Sequence, residues 1–185
     1  MKTPKSAIAC VVLLFLGFSA TAQSRTLSAL SPTLYLSKEK TILESTVASE
    51  NHKILLSAVQ ATDLEDVLEQ NGPFTFFAPS DNAFSKLDKE QLKALFRSEN
   101  KKKLKALLSY HIVAGNLTAS KILRALCQGA GSAKFTTIEG AKVSVSMEGT
   151  DIVLTDSLGN KAKITVADAN QKNGVIHEID GVIQP

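Results

Sequence analysis

The chain has 185 residues, 21 of them basic and 18 acidic, with two cysteines and three histidines. Lys2 and Lys5, the apolar run "AIACVVLLFLGF" and "ATA" at 20–22 have the order of a secretory signal, too short in its apolar part to span a bilayer. Removing residues 1–22 leaves 19 basic against 18 acidic residues, which excludes a charge-driven nucleic-acid partner and leaves one domain of ordinary size. An anchor on Cys10 fits poorly, because that cysteine opens the apolar stretch instead of closing it. Cys127 is then the single cysteine, so no disulfide can form within the chain, and its place after "ILRAL" predicts a small core side chain, the alternative being a thiol that bridges two chains.

Residues 23–40 are polar and aperiodic, the composition of a leader, and the domain is expected over 41–185. Ile42, Val47, Ile54, Leu55, Ala58 and Val59 recur at helical steps, and Thr62 with Glu65 has the spacing of a capping box. "NGP" at 71–73 stops the helices, and "FTFFA" at 74–78 reads as a strand closed by Pro79. Ser80 or Asp81 can cap a short helix carrying Phe84 and Leu87, and Asp88 with Gln91 can cap the next. A helix over 100–110 aligns Leu104, Leu107 and Leu108 in one stripe, which His111 extends. Lys101, Lys102 and Lys105 fall on the opposite, solvated side; without interleaved aromatic residues they are no nucleic-acid patch.

After a short helix near 119–126 the period changes to two. Val143, Val145 and Met147 alternate with Lys142, Ser144 and Ser146; "DIVLT" follows a Glu148-Gly149 turn; Ala162, Ile164 and Val166 alternate after "SLGN". Asn173-Gly174 turns into a last strand, "VIHEIDGVI", in which Val175, His177 and Ile179 share one face. Helices first and antiparallel hairpins later define an α+β domain, N-terminal helices packed on an antiparallel β-wedge or sandwich.

Three segments, "GPFTFFAPSDNAF" at 72–84, "LLSYHIVAG" at 107–115 and "NGVIHEIDGVIQP" at 173–185, together resemble the fasciclin domain family over residues 41–185. The resemblance implies a compact domain of helices on a β-wedge, secreted or at the cell surface or in a periplasm, associated with adhesion and without a characteristic enzymatic mechanism or cofactor. A single-domain bacterial member is the nearest analogue. In animal members a Tyr-His pair with branched apolar neighbours is implicated in integrin recognition; the matching residues are Tyr110 and His111 with Leu107, Leu108, Ile112 and Val113. Ser80, Asp81, Asn173, Gly174 and His177 belong to the two signature segments.

The residues by themselves offer little chemistry. No G-x-S-x-G elbow occurs, the histidines are scattered without metal-ligand spacing, and the oxygen-rich turns "DSLGN" and "DANQKN" lack the spacing of a calcium loop. Asn116-Leu117-Thr118 has the glycosylation pattern, although Thr118 also suits the cap of the next helix. A histidine on an apolar stripe must have both ring nitrogens paired, and Ser80 or Asp81 are the expected partners of His111. The expected function is a non-enzymatic, secreted module binding a protein or polysaccharide of a surface or matrix. The alternative is a groove for an apolar small molecule, a lipid or carotenoid.

Overall fold

The computed structural model describes residues 40–69 and 72–185; the signal, the leader and the start of the "NGP" stop lie outside them. Among the described residues six α-helices come first, interrupted by one strand: α1 (Ile42–Val47), α2 (Lys53–Gln60), α3 (Glu65–Glu69), β1 (Phe74–Pro79), α4 (Asp81–Ser85), α5 (Lys89–Leu95) and α6 (Lys101–Tyr110). β2 (Ile112–Ala114) and α7 (Ala119–Gln128) lead into β3 (Ser132–Thr136), β4 (Lys142–Glu148), β5 (Asp151–Thr155), β6 (Lys161–Gln171) and β7 (Gly174–Ile179). The domain is α+β, as its sequence pattern implies.

The strands form one sheet in the order β2-β1-β7-β6-β5-β4-β3. Its neighbours are antiparallel except for one pair: β1 runs parallel to β7, Phe74 beside Gly174 through Pro79 beside Ile179. Parallel strands buried on both faces read as continuous apolar runs, and "FTFFA" is such a run. Phe76 and Ala78 enter the core beneath the helices with Leu55, Leu68 and Leu108. Phe77 points the other way, into a second core with Tyr110, Ile122, Val145 and Leu154. Glycine is required at 174, where an added Cβ would stand 2.0 Å from the Phe74 carbonyl oxygen. The two sheet edges meet at one point, through a bridge between Val113 and Thr137 just past the end of β3.

β6 is long enough to serve both cores because it is irregular. It passes from Ile164 to Ala169 while β7 passes only from Ile179 to Ile176, with register shifts on both sides of Val166. The alternation Ala162, Ile164, Val166 therefore breaks: Ala162 is buried, whereas Val166 is turned out to solvent.

Other departures have equally local causes. The Thr62 hydroxyl does not cap α3; it donates backward to the carbonyls of Ala58 (2.9 Å) and Val59 (3.1 Å). The capping box of this region is at Thr41 and Glu44, at the start of α1. Ser80 caps α4 and Asp88 caps α5, as their spacing predicts. Cys127 is exposed near the end of α7, not packed in the core, because Ile122 and Leu126 take the buried stripe of that helix. "SAKFT" forms β3, although its sequence carries no clear strand signal.

Candidate functional site

The three signature segments meet where the two cores join, and Ser80, Tyr110, His111, Asn173 and His177 turn their polar groups inward. His111 follows the last residue of α6 and is fully buried. Its Nδ1 donates to the Leu107 carbonyl (2.8 Å), one of the terminal carbonyls that a helix leaves unpaired. Nε2 accepts from the Ile183 N–H (3.3 Å) on the C-terminal tail. These bonds require the neutral Nδ1–H tautomer, and burial lowers the His111 pKa from 6.5 to about 4. Both partners are backbone groups, so the expected bond to Ser80 or Asp81 does not form.

Tyr110 is buried beside it and donates its hydroxyl to the Lys142 carbonyl at the start of β4 (2.8 Å). The dipeptide thus ties the end of α6 to β4 and to the tail, and Asp156 secures the tail once more by accepting the Gln184 N–H (2.9 Å). Leu107, Leu108, Ile112 and Val113 are buried in the two cores. Of these six residues only Leu107 shows an edge at the surface, in the groove described below; a partner could not reach the other five while the domain is closed.

The other signature residues join chain segments distant in sequence. Asp81 reaches over to accept the Ile54 N–H (2.9 Å) and the Lys53 N–H (3.3 Å), capping α2, whose own N-cap residue His52 makes no capping bond. Asn173 accepts the Ile42 N–H (2.9 Å) at the start of α1 and donates to the Leu68 carbonyl (2.6 Å) near the end of α3. His177 stacks on Phe77 at 5.6 Å. Its Nε2 donates to the Leu117 carbonyl (2.8 Å) and its Nδ1 accepts from the Asp168 N–H (3.2 Å), and burial lowers its pKa. Asp168 lies in the irregular part of β6 and caps α7 by accepting the Ala119 N–H (2.7 Å). Thr118, the expected cap, makes no capping bond.

The remaining chemistry is sparse. The carboxylates of the two oxygen-rich turns are engaged with backbone: Asp168 as above, and Asp156 by the N–H groups of Leu158, Asn160 and Gln184. Among the described residues no three His, Cys, Asp or Glu side chains gather as metal ligands. His52, to which the sequence pattern gives no role, bonds through Nδ1 to the Ser49 hydroxyl (2.7 Å) while its Nε2 stands 3.8 Å from a Glu178 carboxylate oxygen. That separation exceeds a hydrogen bond, so the carboxylate does not orient the ring as a catalytic triad requires. An apolar groove of about 270 Å³ lies between α5, α6 and the tail, lined by Leu87, Leu95, Leu107 and Val182. It is smaller than the roughly 300–1,000 Å³ of ligand pockets, and a second depression of about 440 Å³ beside Ile54, Leu92 and Phe96 is a wide-open surface and does not enclose a ligand.

Comparison with known proteins gives the family and the fold. The profile of the Fasciclin domain matches residues 50–185. The chain belongs to the fasciclin domain family. It is 38% identical over 146 residues to Protein sll1483 of Synechocystis sp., covering 78% of this chain and 73% of that protein. It is 29% identical over 147 residues to human periostin, covering 80% of this chain but only 16% of periostin. Immunogenic protein MPB70 of Mycobacterium bovis is 30% identical over 123 residues, 66% of this chain and 55% of that protein. In three dimensions the fold matches a FAS1 domain pair from the insect cell adhesion molecule Fasciclin I, with a TM-score of 0.71 at 21% identity, over 80% of this chain and 52% of that one. The fasciclin domain here contains no helix, among the described residues, long and apolar enough to cross a membrane.

Proposed function

We propose that this fasciclin domain is a secreted, non-enzymatic module for cell adhesion or matrix interaction, and that it engages its partner through its outer surface. The observation that carries this reading is the inward engagement of the signature polar groups. Tyr110, His111, Asn173 and His177 are spent on backbone donors and acceptors at the ends of helices and strands, which leaves them no free valence for substrate or partner. In this reading the Tyr-His pair holds the fold together, and recognition falls to exposed residues.

The signal-like residues 1–22 support export, and an adhesion molecule appears among the structural relatives. The test is an attachment and pull-down assay with protein purified from a host expressing the full chain, against matrix proteins, polysaccharides and whole cells. Retention of at least one partner is expected. No retained partner and no cell attachment across that panel would defeat the adhesion reading.

A further inference from the structure

The mature chain is nearly neutral, yet its charge is unevenly placed. Residues 41–85 carry seven acidic side chains and one basic one, whereas residues 86–105 carry eight basic and three acidic. The basic stretch is α5, the following turn and the first half of α6, and α5 has no fully buried residue. It is a surface ridge, and cations crown it.

Lys89 and Lys93 stand four residues apart on α5, about one turn of 5.4 Å along one face, and Arg97 follows just beyond the end of that helix in extended backbone. Lys102 and Lys103 are exposed at the start of α6. Among the described residues Lys89, Lys102 and Lys103 make no ion pair, and the pairs Lys93–Glu90 and Arg97–Glu99 are exposed on both sides. Such pairs hold their partners weakly and are readily exchanged for a stronger anion.

The ridge has an apolar depression on each flank. The groove of about 270 Å³ is rimmed by Gln91, Lys103 and Gln184. The other, about 440 Å³ and wide open, is lined by Ile54, Leu92 and the exposed Phe96. Anionic groups suit the crown, hydroxyls suit the amide rim, and the C–H faces of sugar rings suit the apolar flanks. A nucleic acid would need several aromatic platforms for its bases, whereas the ridge offers one exposed aromatic side chain.

We propose that α5 and the start of α6 form the docking face for a linear acidic polysaccharide, one bearing carboxylate or sulfate groups. This rests on the adhesion reading and names the chemistry of its partner. Because the contact is mainly between exposed charges, it should weaken steeply with salt.

The experiment uses the protein purified from a host expressing the full chain, with heparin, alginate and neutral dextran as probes. Heparin and alginate should be retained at low salt and dextran should not. The triple variant K89Q/K102Q/K103Q should lose at least tenfold in affinity with an unchanged thermal melt. A control triple, K121Q/K134Q/K142Q, removes the same charge elsewhere and should lose less than threefold. Equal losses in the two triples, equal retention of dextran, or tighter binding to duplex DNA or anionic lipid vesicles would each overturn the assignment. Cell attachment that survives K89Q/K102Q/K103Q would remove this face and leave adhesion standing; a wild-type protein that attaches to nothing would remove both.

Discussion

His111 makes the stability of this domain depend on pH in a direction that can be worked out in advance. Its folded-state pKa is about 4, depressed by burial from 6.5. The unfolded chain therefore takes up a proton before the folded one does. This contribution is present in full above about pH 6.5 and is lost as pH falls from there toward 4. Between pH 7.5 and pH 5 the linkage relation gives a loss of about 2 kcal/mol from this group alone. His177, also depressed by burial, works in the same direction.

The perturbation that isolates His111 is replacement by Ala. At pH 7.5 the variant leaves the Leu107 carbonyl and the Ile183 N–H buried without their ring partners. At about 1–3 kcal/mol for each of the two unpaired groups, the cost is about 2–6 kcal/mol, a large share of a typical stability of roughly 5–15 kcal/mol. The melting temperature should fall by roughly 10 °C. At pH 5 the same substitution should cost about 2 kcal/mol less, because the wild type has by then lost what the variant never had. Urea unfolding of both proteins at both pH values, followed by far-UV circular dichroism, measures the four free energies needed. An equal penalty at pH 7.5 and pH 5 would refute the burial of a neutral imidazole, and no penalty at pH 7.5 would refute its structural role.

Two further outcomes follow from the same contacts. Asn173→Ala removes a cap from α1 and a donor from the Leu68 carbonyl, and should cost about 2–4 kcal/mol in urea unfolding, with faster hydrogen exchange at the Ile42 amide. Cys127 is exposed, so a thiol reagent should label the native protein as fast as the urea-unfolded one; labelling that waits for unfolding would return this side chain to the core.

What could be read along the chain was what depends on near neighbours. Local caps such as Ser80 and Asp88, the apolar stripe of α6 and the hairpins of the wedge all rest on spacings of a few residues. Contacts between distant residues were not legible in that way. Nothing near Asp81 says that its carboxylate will cap α2, 27 positions upstream, and nothing near Asp168 says that it will cap α7, 49 positions upstream. Thr62 illustrates the opposite failure: its spacing to Glu65 fits a capping box, but its hydroxyl finds the preceding turn first. The β1–β7 pair was hidden for a related reason. A strand buried on both faces has no alternation to reveal which strand will lie beside it, and parallel pairing has no hairpin turn to announce it.

These inward contacts bear on how a fasciclin domain can be recognisable and yet specific. The residues that mark the family in this chain are those whose side chains satisfy helix ends and hold loops: Ser80, Asp81, His111, Asn173 and His177. Changing any of them taxes the fold before it affects a partner. The exposed residues of α5 and α6 are under no such constraint, since an exposed lysine contributes little to stability whichever charge replaces it. Family membership and partner choice are thus written on different residues, and a variant that abolishes attachment informs about recognition only if its melt is unchanged.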